Sequence, residues 1–168
     1  KIALPSGELS ASIDLSSPLP ASPLLSAEIL YVLSHQGELL ALQAADLSVI
    51  YRVQTPDNYL SSPYADGEFL FLTTSDGAIQ VHARDSGKRL DALETSEEMT
   101  PLQTACNGRY FALSTRGKLF SYRRQDQSWQ RELLADFKSD FRQSCCLAGD
   151  TLYAADNSGG LFYCRIAK

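Results

Sequence analysis

The sequence predicts an all-β fold, a β-propeller of four-stranded antiparallel blades, and three observations predict it. Two stretches are copies of one pattern: SPLLSAEILYVLSHQGELLALQA over Ser22 to Ala44 and SPYADGEFLFLTTSDGAIQVHAR over Ser62 to Arg84. Glycines separating two apolar runs recur at Gly37, Gly77, Gly117 and Gly160, with spacings of 40, 40 and 43, and a fixed period of this length marks a repeat architecture. The runs themselves, such as Ile29-Leu30-Tyr31-Val32-Leu33 and Phe69-Leu70-Phe71-Leu72, are apolar at consecutive positions, so each strand needs both faces covered. Small sheets stacked around an axis provide this, because each lies between two neighbours.

Taken in order, each unit opens with a short strand after a Ser-Pro or its equivalent. The second strands run from Ile29 to Ser34, Phe69 to Ser75, Tyr110 to Thr115 and Thr151 to Asn157, and the third begin at Glu38, Ala78, Lys118 and Leu161. Polar turns at Ala45-Asp46-Leu47-Ser48, Asp85-Ser86-Gly87-Lys88 and Gln125-Asp126-Gln127-Ser128 supply the residues that tight turns favour. A fourth β-like run then ends near Thr55, Thr95 and Ala135, which sets the blades at about 22–55, 62–95, 102–135 and 143–168. Two residues after the anchor glycine stand Leu39, Ile79, Leu119 and Phe162, all large; two further on stand Ala41, Val81, Ser121 and Cys164, all smaller. Alternate residues share a face, so these columns fit sheets that converge. Thr95 to Pro101 and Asp136 to Arg142 read as rim loops.

The two ends complement each other. Pro5-Ser6-Gly7-Glu8 aligns with Asp85-Ser86-Gly87-Lys88, which makes residues 9–15 a fourth strand, while the last unit reaches Lys168 in its third. Three arrangements stay open: an excerpt of a longer seven- or eight-bladed propeller, closure of four blades by pairing the termini, or a homodimer that makes eight. A first residue of Lys rather than Met points to a processed or excised product.

Composition narrows the function. A content of 44% apolar and 21% charged residues is ordinary globular usage. A net charge of −5 with scattered Lys and Arg lacks the basic footprint of a nucleic-acid binder. No apolar stretch reaches the roughly 20 residues of a spanning helix. Cys106, Cys145, Cys146 and Cys164 follow neither a disulfide framework nor a zinc spacing.

Ser22-Pro23, Ser62-Pro63, Asp76-Gly77, Ala41, Ser86-Gly87-Lys88 and Ser6-Gly7-Glu8 together resemble the repeat of the quinoprotein-type, or PQQ-like, propellers. Where that repeat has a docking Trp this chain has Ala11, Tyr51 and Asp91, and Trp129 falls near the column in a shifted register. The resemblance implies one of two classes. One comprises dehydrogenases that bind pyrroloquinoline quinone and calcium. The other comprises non-catalytic scaffolds such as the lipoprotein of the bacterial β-barrel assembly machinery, together with sensor domains of larger receptors or kinases. The style of the repeat is closest to the scaffolds. By analogy with members of that family, the resemblance implies an extracytoplasmic or periplasmic location.

Each candidate residue also has a plainer reading. Cys145-Cys146 is the one cofactor candidate, because quinone dehydrogenases of this resemblance use a vicinal disulfide as a flat platform; the plainer reading is a small, readily buried residue at a crowded axis. His35 and His82 have no second ligand at metal or catalytic spacing. Asp156-Asn157-Ser158-Gly159-Gly160 lacks the downstream Glu of a calcium loop and reads as a wide turn. Asp85-Ser86-Gly87-Lys88 lacks the other elements of a phosphate loop. Arg116, Lys118, Arg123, Arg124 and Arg131 make the third unit basic, either as a solvated blade edge or as a dock for an acidic partner. The expectation is a scaffold, not an enzyme, without cofactor or metal, that recognises a protein or peptide through its rim loops; a dehydrogenase fragment and a ligand-sensing domain are the alternatives.

Overall fold

The computed structural model describes residues 11–15 and 17–166. Among the described residues fifteen strands form four antiparallel sheets. Blade 1 holds β1 (Leu24–Ser26), β2 (Ile29–Leu33), β3 (Glu38–Gln43) and β4 (Val49–Gln54). Blade 2 holds β5 (Tyr64–Asp66), β6 (Phe69–Thr73), β7 (Ile79–Ala83) and β8 (Arg89–Leu93). Blade 3 holds β9 (Thr104–Cys106), β10 (Arg109–Leu113), β11 (Lys118–Gln125) and β12 (Ser128–Asp136). Blade 4 holds, among the described residues, β13 (Cys146–Ala148), β14 (Thr151–Ala155) and β15 (Leu161–Arg165). Strands are hydrogen-bonded in sequence order within every sheet, and the described residues contain no helix. The fold is therefore a β-propeller architecture of successive meander blades.

One turn recurs four times between the second and third strands. The N–H groups of Gly37, Gly77, Gly117 and Gly159 donate to the carbonyls of Ser34, Thr74, Ser114 and Asp156. The next residue, Glu38, Ala78, Lys118 or Gly160, donates its N–H to the side-chain oxygen of the same Ser, Thr, Ser or Asp at 3.0, 2.9, 2.9 and 2.6 Å. This local capping explains why a short polar residue stands at each turn. All four glycines have φ between +81° and +92°.

That turn corrects the register of the last unit. Its anchor is Gly159 and not Gly160, so the column of Leu39, Ile79 and Leu119 continues in Leu161: Leu33↔Leu39, Thr73↔Ile79, Leu113↔Leu119 and Ala155↔Leu161 are equivalent pairs. The column of Ala41, Val81 and Ser121 continues in Tyr163. A slip of one residue turns every side chain to the opposite face, and Phe162 and Cys164 accordingly pack inward against blade 3.

Three apolar layers lie between consecutive blades. Tyr31, Leu33, Leu39 and Ala41 meet Leu70 and Leu72; Phe71, Ile79 and Val81 meet Tyr110, Phe120 and Tyr122; Phe111, Leu113 and Leu119 meet Leu152, Ala154 and Phe162. Connectors lock the layers. The carbonyls of Pro18, Asn58, Glu98 and Asp140 accept from the N–H groups of His35, Ser75, Thr115 and Asn157, and Tyr59, Met99 and Phe141, one residue after the last three, are buried. Between blades 1 and 2, Arg84 adds a clamp: its Nε donates to the Tyr31 hydroxyl at 3.0 Å and its Nη2 to Ser26 Oγ at 2.9 Å.

The strand expected over residues 9–15 is not formed over 11–15, and residues 9 and 10 lie outside the described set. Ile13 and Leu15 instead pack on the outer face of blade 1, against Val32, Leu40 and Leu42. No apolar layer joins blade 4 to blade 1 among the described residues, and Leu161, Tyr163 and Tyr153 stand 75%, 68% and 37% exposed on the far face of blade 4.

Candidate functional site

Antiparallel order places the turns between second and third strands on the same side as the connectors between blades. On that side a groove of about 520 Å3 receives residues from all four blades, among them Ser22, Leu60, Ser75, Glu98, Gln103 and Arg142. Serine, threonine and glutamine supply most of its polar groups, Glu98 and Arg142 supply one charge of each sign, and Leu60 is 60% exposed at its edge. Ser62 Oγ donates to Ser22 O at 2.7 Å and ties the starts of blades 1 and 2 together beneath it. Such a surface donates and accepts hydrogen bonds; among the described residues no group of three or more His, Cys, Asp and Glu forms a metal cage. The rim loops were legible in the sequence but this groove was not, because its lining runs from Ala21 to Gln143 and shares no motif.

Cys145 and Cys146 face opposite sides of the chain at the start of β13. Both thiols are free. Cys145 is buried in the layer between blades 3 and 4, where loss of water pushes its pKa up to about 11, so it is an inert thiol. Cys146 is exposed, and its strand alternation sends it to the opposite face of β13.

The two histidines are structural. His35 Nδ1 lies 3.0 Å from the Tyr59 carbonyl, bonding a turn to a connector. His82 is 1% exposed between blades 1 and 2. Its Nδ1 meets Gly87 O at 2.8 Å and its Nε2 meets Gln80 Oε1 at 3.0 Å, while Gln80 accepts from the Tyr59 hydroxyl and donates to Asp57 Oδ2 at 2.7 Å. Burial lowers the pKa of His82, outweighing the Gly87 carbonyl and the Asp57 carboxylate, which act the other way.

Three of the five basic residues of the third unit, Lys118, Arg124 and Arg131, reach blade 2 or the connector that leaves it, while Arg116 and Arg123 are exposed. Lys118 pairs with Glu97 and holds that carboxyl below its usual range; Arg124 sits 5.0 Å over the Phe69 ring and 3.8 Å from Glu68; Arg131 donates to Glu94 O. Those three charges thus join two blades, where the sequence reading had a solvated edge or a dock for an acidic partner.

Trp129 docks backwards. The tip of the β11–β12 hairpin is two residues longer than in blade 1, Tyr122↔Arg131 against Leu42↔Val49, and with the bulge at a different column Glu132 faces Ser121 where Tyr51 faces Ala41. Trp129 falls on the other face, with ring centroids 5.6, 6.0 and 5.5 Å from Phe69, Phe71 and Tyr110. It fills the layer in which Asp91 provides no ring.

Asp156 caps the last turn. The Ser139 hydroxyl, on the connector from blade 3, does most to hold its pKa at about 2, with the N–H groups of Gly160 and Ser158 adding to this. A carboxyl whose pKa lies below the unfolded value near 3.9 stabilises the fold above that value and loses the contribution as pH falls towards 2. Urea midpoints are therefore expected to fall between about pH 5 and pH 2. Asp156→Asn should be the less stable chain at neutral pH and should converge with the parent at the acid end; parallel curves would show that the carboxylate does not matter.

None of the curated proteins matches the sequence. Among solved structures, BamB from Moraxella catarrhalis is 15% identical, with a TM-score of 0.78 over 95% of this chain and 50% of that one. The computationally designed Ika8 protein is 14% identical, with a TM-score of 0.76 over 98% of this chain and 51% of its own. The designed Ika4 protein, also 14% identical, gives 0.72 over 96% of this chain and 99% of its own. This chain thus spans about half the length of that BamB, and likeness at such identity speaks for the fold. The model of one family matches the sequence from residue 2 to residue 168. The chain belongs to that family, described as outer membrane protein assembly factor BamB, and its blades are PQQ-like repeats of a propeller.

Proposed function

We propose that this chain is a non-catalytic scaffold that recognises a protein partner by taking an extended peptide segment into the connector-side groove. The observation that carries this reading is the makeup of the groove: hydroxyl and amide groups from all four blades, one acid, one base and the exposed Leu60. Backbone N–H and C=O groups of an extended segment match such hydrogen-bonding partners, and Leu60 offers an apolar contact for one side chain. The two histidines are engaged in hydrogen bonds within the fold and do not line the groove. That an assembly factor gives the family its description agrees with a role in contacting other proteins.

The test is a phage-displayed library of unstructured peptides panned against the purified chain. Enriched peptides should bind the parent, and Leu60→Asp or Arg142→Glu, both at exposed positions, should weaken them by about tenfold or more. No enrichment, or peptides that bind both variants as tightly as the parent, would overturn the reading.

A further inference from the structure

We propose that His82 is a proton-operated latch on the connector between blades 1 and 2, closed when the imidazole carries a proton on each nitrogen and open when it carries one. Both ring nitrogens of this 1% exposed residue meet oxygens that only accept: Nδ1 lies 2.8 Å from the Gly87 carbonyl and Nε2 lies 3.0 Å from Gln80 Oε1. A neutral imidazole has one N–H and cannot satisfy both. Turning the Gln80 amide over gives no relief, because its Nε2 donates to Asp57 Oδ2 at 2.7 Å and its Oε1 accepts from the Tyr59 hydroxyl at 2.9 Å. Reversal would put an amide oxygen where the nitrogen now meets the carboxylate. The arrangement thus runs from an anion on the connector, through one amide, to a cation in blade 2, and loss of the Nε2 proton must break it at one end or the other.

The repeat shows that this polarity is peculiar to blade 2. The columns of Gln80 and His82 hold Leu40 and Leu42 in blade 1, Phe120 and Tyr122 in blade 3, and Phe162 and Cys164 in blade 4. The column of Asp57 holds Glu97, which pairs with Lys118, and Ser139, which donates to Asp156. Only the tie made by Asp57 ends on an imidazole, the side chain whose ordinary pKa lies nearest neutrality. Burial between the blades favours the neutral ring and prevails; the Gly87 carbonyl and the Asp57 carboxylate favour the charged one, and Arg89 of β8 opposes it. Tyr51, which β4 of blade 1 lays against Gly87, donates its hydroxyl to the Arg84 carbonyl, and burial keeps it neutral. The latch therefore closes as pH falls below the ordinary histidine value of about 6.5. What it holds is Tyr59, fully buried and next to Leu60 of the groove. His35 secures Tyr59 from the other side, its Nδ1 3.0 Å from the Tyr59 carbonyl and its own carbonyl accepting from the Tyr59 N–H. Closed, the latch fixes the backbone that presents Leu60, Ser61 and Ser62, a consequence for binding that rests on the groove being the binding site.

Asn157 occupies the column of His35, so His35→Asn leaves one imidazole whose two nitrogens can be followed by NMR as pH is lowered. Both should carry protons at the acid end and Nδ1 alone at the alkaline end. The midpoint should lie below about 6.5 and should fall by about half a unit or more in Asp57→Asn. In the parent, exchange of the Tyr59 amide, corrected for the intrinsic effect of pH, should be about fivefold slower below the midpoint than above it. Gln80→Leu, which places the residue of blade 1 in that column, should abolish the difference. A ring that stays neutral until the chain unfolds, a neutral ring protonated on Nε2, a midpoint unmoved by Asp57→Asn, or exchange indifferent to the midpoint would overturn the proposal. Groove-binding peptides free of His, Asp and Glu should bind about threefold or more tighter below the midpoint than above it, and equally at both in His82→Leu. Equal binding by the parent would overturn the link from latch to groove. Failure of every peptide to bind would count against the groove alone, because spectra and exchange decide the latch without a ligand.

Discussion

Gly77→Ala is expected to destabilise the fold by about 3 kcal/mol, whereas Gly67→Ala costs about 1 kcal/mol, although both glycines have positive φ. At Gly77, φ is +81° and an added Cβ would lie 2.6 Å from the Met99 nitrogen and 2.9 Å from the Glu98 Cα. Those are backbone atoms of the connector to blade 3, so relief requires the connector to move. The bond from Met99 N–H to the Gly77 carbonyl then weakens, adding about 1 kcal/mol to the 1–2 kcal/mol of left-handed strain. Gly67 has nothing within 4 Å of its would-be Cβ, and its column tolerates side chains elsewhere, since Ala27 at φ 48° and Asn107 at φ 51° occupy it. Thermal unfolding should show a fall of roughly 6–12 °C for Gly77→Ala and about 2–4 °C for Gly67→Ala. Equal shifts would sink the close approach of turn and connector.

Phe71→Ala is expected to cost about 4 kcal/mol. The ring is 1% exposed, its centroid is 4.6 Å from that of Tyr110, and Phe69, Tyr64 and Trp129 surround it at 6.0 to 6.2 Å. Removing it leaves a cavity walled by aromatic rings on two rigid sheets, which cannot collapse far. Urea denaturation followed by the fluorescence of Trp129 measures both the loss and the altered ring environment. Leu161→Ala is the contrast: at 75% exposure it should change monomer stability by no more than about 0.5 kcal/mol. A loss below about 1 kcal/mol for Phe71→Ala would mean that blades 2 and 3 are not packed as described.

Residues 34–38 and their repeats were readable because a turn is a local object. A glycine at positive φ and a Ser, Thr or Asp that caps the residue four positions on act within one hairpin. In the last unit Gly159-Gly160 offers two glycines where the others offer one, so spacing alone could not choose between them. The hydrogen bond from Gly159 to the Asp156 carbonyl chose, and with it the face of Leu161 and Tyr163. The groove lay further from reach, since Leu60, Gln103 and Arg142 meet only after three blades have been stacked.

By itself the sequence determined the all-β class, the blade as the repeating unit, the turn columns and the need to cover both faces of each sheet. These follow from hydrophobic pattern and turn chemistry, which operate over a few residues. Tertiary structure alone decided which face Cys145 and Cys146 present, that Trp129 packs back onto blade 2, and that Lys118, Arg124 and Arg131 serve the junction with blade 2. Facing and partnership depend on inter-strand register and on which sheet lies alongside, and neither is set until distant segments have come together.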